Sequence, residues 1–250
     1  MKVAWVTHHL PGDRGNPSLL PGQFAGGAEM LDWDMVASAP EGVEVTWLGP
    51  DRWEEAFDYD RVVITGTDML SQRAMLELAE VKPLVWVHHE QQRTAARAYL
   101  IGMAEPFVCM SDLHAESESE WTGVSPEVCN GWMDLSDIVP AEKGEWSLWA
   151  ARNHPQKGRL AARMWAAANK VELRELSDVP RRTVLDAMQE ARWFVFMPQR
   201  LDACPRTLIE AEAAGCEIVT NNHAGRRLPG PLDEVMLRQR ENFWKWVGGR

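Results

Sequence analysis

Short apolar runs, each closed off by Gly, Pro or Asp, alternate with helical patterns along nearly the whole chain. This alternation limits the possible folds more than any other feature. In the first half the runs are "KVAWVTHH" (2–9), "VEVTWLG" (43–49), "RVVITG" (61–66), "PLVWVHH" (83–89) and "PFVCMS" (106–111). Runs of this length and β-branched content suit strands covered on both faces, as in a parallel sheet. Between them, "GAEMLDWDMVASA" (27–39) and "SQRAMLELAEV" (71–81) space apolar residues by three and four. "SDLHAESESEWTG" (111–123) opens on a Ser-Asp cap and closes on glycine, the two ends expected of a helix.

The second half repeats the pattern. Strands are expected over 145–152, 171–177, 192–198 and 216–222, and helices over 158–170, 181–191 and 205–215. A long last helix, "LDEVMLRQRENFWKWV" (232–247), carries aromatics near its end. Repeated βα units imply doubly wound parallel sheets. The stretch 130–145 has little periodicity and contains Pro140, so a linker is placed near 135–143. The expected domains are 1–138 and 139–250, both Rossmann-like and facing a central cleft, with the final helix able to cross back to the first. No G-x-G-x-x-G follows the first strand and no G-x-x-x-x-G-K-[ST] occurs, which disfavours an NAD enzyme or a P-loop NTPase.

Charge is unevenly placed. Residues 1–150 hold 9 Lys and Arg against 25 Asp and Glu, a net −16, whereas residues 151–250 hold 17 against 12, a net +5. An anionic ligand is therefore expected on the second half. The four cysteines, Cys109, Cys129, Cys204 and Cys216, show no C-x-x-C spacing. They are expected as free thiols of a cytoplasmic protein, with no metal site. The N-terminus reads as a buried strand rather than a signal peptide, and no run approaches the roughly 18 apolar residues of a membrane span.

Three segments carry chemistry: "AARNHPQKGR" (150–159), "DACPRTLIEAEAAGCEIVT" (202–220) and "FAGGAEMLD" (24–32). In this order they resemble motifs of the GT-B retaining glycosyltransferases of the large family-4 type. The first resembles the arginine and Lys-Gly signature of the donor domain, the second the E-x7-E motif, and the third the Gly-Gly loop after the first strand of the acceptor domain. "MSDLHAESESEWTG" and "EVCNGWMDLSDIVP" are weaker echoes. The ordered set covers nearly the whole chain. It departs from the family where Asp202 replaces the first glutamate, where Ala203 and Cys204 replace glycines, and where Ala151 precedes the arginine.

The resemblance implies a metal-independent transferase using a UDP- or GDP-sugar as substrate, with no cofactor, and moving a hexose to a hydroxyl. Arg152 and Lys157 would neutralise the donor diphosphate and the charge that grows as the glycosidic bond breaks, where electrostatic stabilisation counts most. Arg206, Thr207 and Leu208 would offer amides at a helix start, where backbone N–H groups lack partners within the helix. Glu210 would bind the ribose and Asp202 the hydroxyls of the transferred sugar. Gly26 and Gly27 would let backbone approach the diphosphate. His88 and His89 follow a predicted strand whose C-terminal end faces the ligand crevice, and the resemblance places such a histidine near the transferred sugar. His8 and His9 end the first strand and are candidates for the acceptor pocket.

The acceptor is expected to be a saccharide or small molecule. The −16 balance gives no support to a basic membrane-binding surface. A second reading is a phage-type DNA glycosyltransferase acting on a hydroxymethylated base, with "GRRLPG" (225–230) holding backbone phosphate. A third is a non-catalytic sugar-nucleotide-binding module.

Overall fold

In the computed structural model, which describes residues 1–8, 27–89 and 91–249, the chain divides into two compact units. Among the described residues the first comprises 1–8, 28–89, 91–133 and 227–249, and the second 27 and 134–226. The first contains β1 (Lys2–Val6), α1 (Gly27–Ala37), β2 (Glu44–Leu48), β3 (Arg61–Ile64), α2 (Gln72–Ala79), β4 (Leu84–Val87), α3 (Ala95–Met103), β5 (Phe107–Cys109), α4 (Asp112–Thr122) and β6 (Glu127–Val128). The second contains β7 (Gly144–Ala150), α5 (Arg159–Asn169), β8 (Glu172–Leu176), α6 (Arg181–Glu190), β9 (Ala191–Phe196), α7 (Arg206–Ala213) and β10 (Glu217–Thr220). The chain then returns to the first unit through α8 (Leu232–Gly248).

Both sheets are parallel. The first has the order β2-β1-β3-β4-β5-β6, with Val3 opposite Val45 on one side and Arg61 on the other. Its central strands are apolar because helices cover both faces: all four residues of β4 are buried, as are four of the five in β1. The second has the order β10-β9-β7-β8. Its edge strands β8 and β10 contain no fully buried residue, which leaves most of the packing to β7 and β9. In each sheet the strand order reverses beside the first strand, between β1 and β3 and between β7 and β9. Ligands of open α/β sheets bind beyond the C-terminal strand ends at such a reversal.

Local signals explain most boundaries. The Ser111 hydroxyl accepts the His114 amide at 3.3 Å, and Gly123 ends α4 at φ +71°. Ser71 caps α2 by accepting the Ala74 amide at 3.1 Å. Such caps satisfy donors that the helix itself cannot. Two elements lie outside the sequence expectation. The strand β6 is two residues long. The helix α3 turns a charged side chain, Arg97, into the core at 1% exposure, which breaks the apolar spacing that marks a helix. The last helix packs its aromatics on the first sheet: Phe243 lies 4.8 Å from Trp86 and 5.7 Å from Trp5, centroid to centroid. Asn130, fully buried, accepts the Leu228 amide at 2.7 Å and donates its own amide to Gln239 at 3.1 Å, tying the segment before α8 and α8 itself to the end of β6.

Candidate functional site

The reversal between β7 and β9 gathers most of the sequence-predicted donor residues. The loop after β7 makes one short 3-10 turn, Pro155–Lys157, capped by His154, whose Nδ1 accepts the Gln156 amide at 3.3 Å. Trp149 Nε1 donates to the Lys157 carbonyl at 3.0 Å, and the Gln199 amide donates to the Gln156 carbonyl at 2.9 Å. The turn is thus fastened to the segment after β9. Gly158 makes this possible: its φ is +76°, and a Cβ there would lie 1.9 Å from the Met197 carbonyl oxygen. Only glycine fits both the left-handed backbone and that approach.

The fastening brings Lys157 to Asp202. Lys157 Nζ lies 2.5 Å from Asp202 Oδ2, with the side chains 35% and 18% exposed. Asp202 is held by its backbone in a parallel bridge to Ala224, donating to the His223 carbonyl at 2.9 Å and accepting the Gly225 amide at 2.7 Å. Arg152 is exposed just past the end of β7. Pro205 precedes α7, whose first residues are Arg206 and Thr207. The Leu208 amide already donates to the Pro205 carbonyl at 2.9 Å.

Glu210 is 3% exposed and sits between two guanidinium groups. Its Oε1 accepts from Arg206 Nε at 2.8 Å and from Arg181 Nε at 2.9 Å. Arg181 was not expected from the sequence. It is 29 residues away at the start of α6, and no local spacing announces the pairing. Its Nη2 is buried without a hydrogen-bond partner.

The reversal between β1 and β3 holds a second polar group. Asp32 on α1 is fully buried. Its Oδ2 accepts from Thr65 Oγ1 at 2.9 Å and Thr7 Oγ1 at 3.2 Å, and its Oδ1 lies 3.4 Å from His88 Nε2. Thr7, Thr65 and His88 each follow a strand, β1, β3 and β4 respectively, so one carboxylate collects three adjacent strand ends. His88 is 7% exposed, edge-on to Trp86 at 4.5 Å. His89 is half-exposed, 3.8 Å from Asp68, and its proximity is the main cause holding the Asp68 carboxyl below its ordinary range. His8 lies against Gly66, where a Cβ would meet its ring at 2.5 Å. Gly26 and His9 lie outside the described residues, and Gly27 begins α1. Asp32 lies within "FAGGAEMLD" but carries no motif of its own. The available signal was its register: Asp32 shares the buried face of α1 with Leu31 and Met35.

All four cysteines are unbridged. Burial pushes the Cys129 thiol up to about 12. Among the described residues no group of three His, Cys, Asp or Glu is placed to hold a metal ion, and no helix is long and apolar enough to cross a membrane.

No protein-family model matches the sequence, and no curated protein matches it. Solved structures do. The chain is similar to AviGT4, a glycosyltransferase involved in avilamycin A biosynthesis, at 16% identity and a TM-score of 0.65, over 99% of this chain and 94% of that one. It is similar to a sucrose-phosphate synthase from Thermosynechococcus elongatus at 11% identity and a TM-score of 0.61, over 98% and 91%. It is also similar to HepE from Anabaena, solved in complex with UDP-glucose, at 11% identity and a TM-score of 0.57, over 99% and 92%. At these identities the likeness establishes the fold. The chain has the Rossmann-like GT-B fold of these glycosyltransferases, as its sequence led us to expect.

Proposed function

We propose that the chain transfers a sugar, with retained anomeric configuration, from a nucleotide-diphosphate sugar to a hydroxyl of a saccharide or small molecule. A fold alone does not fix an activity, so the reading rests on the site. The observation that carries it is the Lys157–Asp202 pair at the reversal between β7 and β9, 2.5 Å apart on a turn that only glycine permits. A cation and a carboxylate side by side suit a ligand that presents phosphate next to sugar hydroxyls.

In this reading the Arg152 and Lys157 cations meet the diphosphate. Amides at the start of α7 add partial positive charge. Asp202 turns to the sugar hydroxyls once phosphate takes over Lys157. Glu210, oriented by Arg206 and Arg181, accepts from the ribose hydroxyls through its carboxylate. The developing negative charge on the leaving phosphate is stabilised by fixed cations and amides, which need no reorganisation during the reaction. AviGT4 is a glycosyltransferase, which supports sugar transfer, and HepE has been solved with UDP-glucose, which supports a UDP-type donor here.

The test is a screen of UDP-, GDP-, ADP- and TDP-sugars by calorimetry and by hydrolysis or transfer to added acceptors, with and without EDTA. At least one donor is expected to bind and turn over, with EDTA leaving the rate intact and the product anomer matching the donor by NMR. Tight binding without turnover would support a binding module instead. A chain that binds none of these donors sinks the proposal.

A further inference from the structure

Lys157, the cation proposed for the diphosphate, lies where the backbone ladder is interrupted. Its turn ends on Gly158, at φ +76°, and α5 starts at Arg159. The Gly158 carbonyl accepts the Ala162 amide at 3.0 Å and so opens the α5 ladder. The Lys157 carbonyl comes one residue too early to join it. A backbone carbonyl turned from water without a partner is costly. Among the described residues its donor is a side chain: Trp149 Nε1 donates to it at 3.0 Å.

Trp149 stands near the C-terminal end of β7, an inner strand between β8 and β9. Its ring is fully buried, packed with Ala162 of α5 and Val195 of β9, and the Arg159 guanidinium lies 5.6 Å from the ring centroid. Phenylalanine would fill such an apolar position without a polar atom. Tryptophan adds one N–H that must find an acceptor once buried, and here it finds the peptide of the proposed phosphate-binding residue. Other groups hold the far end of Lys157: Nζ lies 2.5 Å from Asp202 Oδ2 and 6.0 Å from the Phe196 ring centroid. An incoming diphosphate competes with Asp202 for the ammonium. It leaves the indole tie in place, because that tie is made to the main chain.

We infer that Trp149 is a positioning residue for sugar-nucleotide binding: its indole N–H anchors the Lys157 peptide to the sheet, so that the ammonium reaches the donor diphosphate from a fixed origin. Trp149 acts through Lys157, not on the ligand. The inference deepens the glycosyl-transfer reading and rests on it.

Trp149→Phe keeps a buried aromatic ring and removes the N–H. Binding titrations of the full chain compare the nucleoside diphosphate of the best donor among UDP-, GDP-, ADP- and TDP-sugars with the corresponding nucleoside, which has no phosphate for Lys157 to meet. Trp149→Phe is expected to weaken the diphosphate about 10-fold, part of the worth of one charged hydrogen bond, and to leave the nucleoside unchanged. Turnover should fall about 10- to 100-fold, as for a misplaced ligand-holding group. In a Lys157→Ala background, Trp149→Phe should lower the Tm again but cost no further diphosphate affinity, which separates positioning from packing. Wild-type diphosphate affinity in Trp149→Phe, equal losses for diphosphate and nucleoside, or a further affinity loss in the double variant would overturn the inference. If Trp149→Phe does not fold, 3-benzothienylalanine at position 149 keeps the bicyclic shape and replaces the N–H by sulfur; the same selective loss is expected, and unchanged affinity overturns the inference. A wild-type chain that binds none of the diphosphates defeats the parent reading and this inference with it. A wild type that binds one, with an affinity indifferent to position 149, defeats the inference alone.

Discussion

Lys157 Nζ and Asp202 Oδ2 face each other at 2.5 Å across 45 residues of sequence. The pair is partly exposed, so it adds little stability. Its consequence lies in ligand binding, because the cation proposed for phosphate is held by the carboxylate proposed for sugar. Asp202→Asn releases Lys157 from its competing anion. Binding of the free nucleoside diphosphate should stay level or tighten, while turnover falls about 10- to 150-fold through loss of a charged hydrogen bond. Lys157→Ala should weaken both, with about 2–4 kcal/mol lost from the transition state. Calorimetry with the free nucleotide beside steady-state rates separates the two variants. Weaker nucleotide binding in Asp202→Asn would contradict this division of roles.

Glu210 has a structural part as well as its proposed one. Its Oε1 serves Arg206, 6% exposed, and Arg181, 25% exposed. Glu210→Gln keeps an acceptor but removes the charge between two guanidinium groups, leaving them to repel each other. A loss of about 2–3 kcal/mol in stability is expected, visible as a lower Tm. Nucleotide affinity should fall too, because the ribose loses its charged acceptor. Equal Tm values for variant and wild type would show that the arginines do not depend on this carboxylate.

Gly158 tests how far the site depends on backbone geometry. Gly158→Ala meets both a φ of +76° and a Cβ position 1.9 Å from a carbonyl oxygen. We expect a loss of at least about 2 kcal/mol and a displaced Lys157, hence reduced turnover. Gly102 in α3 is the control, since a Cβ there meets nothing within 4 Å. Gly102→Ala should be neutral or stabilising by about 0.5–1 kcal/mol. Denaturant melts of the two variants, set beside their rates, check the contrast.

The fold was readable because burial on both faces of a parallel sheet forces strands into short apolar runs. β1, β4 and β9 show this directly, and their ends fell within two or three residues of expectation. The helix α3 escaped because its inward face carries Arg97, which pairs with Glu118 at 2.9 Å and stacks on Trp121. A charge neutralised by a partner 21 residues away leaves no periodic trace. The site was legible to the extent that its chemistry is local: Lys157 and Asp202 stood out by motif, and the structure brings them together. Arg181 and the Asp32 cluster were not legible, because each depends on strand ends or helix starts brought together only by the sheet order. Asp32 had one local mark, a carboxylate on an apolar helix face.

The same buried region sets an acid limit on stability. His114 is fully buried, its Nδ1 accepts the Met110 amide at 3.4 Å, and its Nε2 lies 3.9 Å from Glu118. Burial, and after it the Arg97 charge, lowers its pKa from 6.5 to about 3. Glu118 does little to offset this because Arg97 already holds it. Charging the ring would also put a proton on the nitrogen that accepts the Met110 amide. The unfolded chain therefore binds a proton at His114 between about pH 6.5 and 3 that the folded chain does not. Stability rises with pH where the unfolded state holds more protons. This group's contribution is complete above pH 6.5 and shrinks as pH falls toward 3, by at most about 1.4 kcal/mol per pH unit. Urea melts of the wild type from pH 8 to 4 should show that decline beginning near the ordinary histidine pKa. In His114→Gln the slope over the same range should be shallower by up to that amount, even if the variant is less stable at pH 8. Parallel slopes for the two proteins would mean that His114 titrates normally in the folded chain.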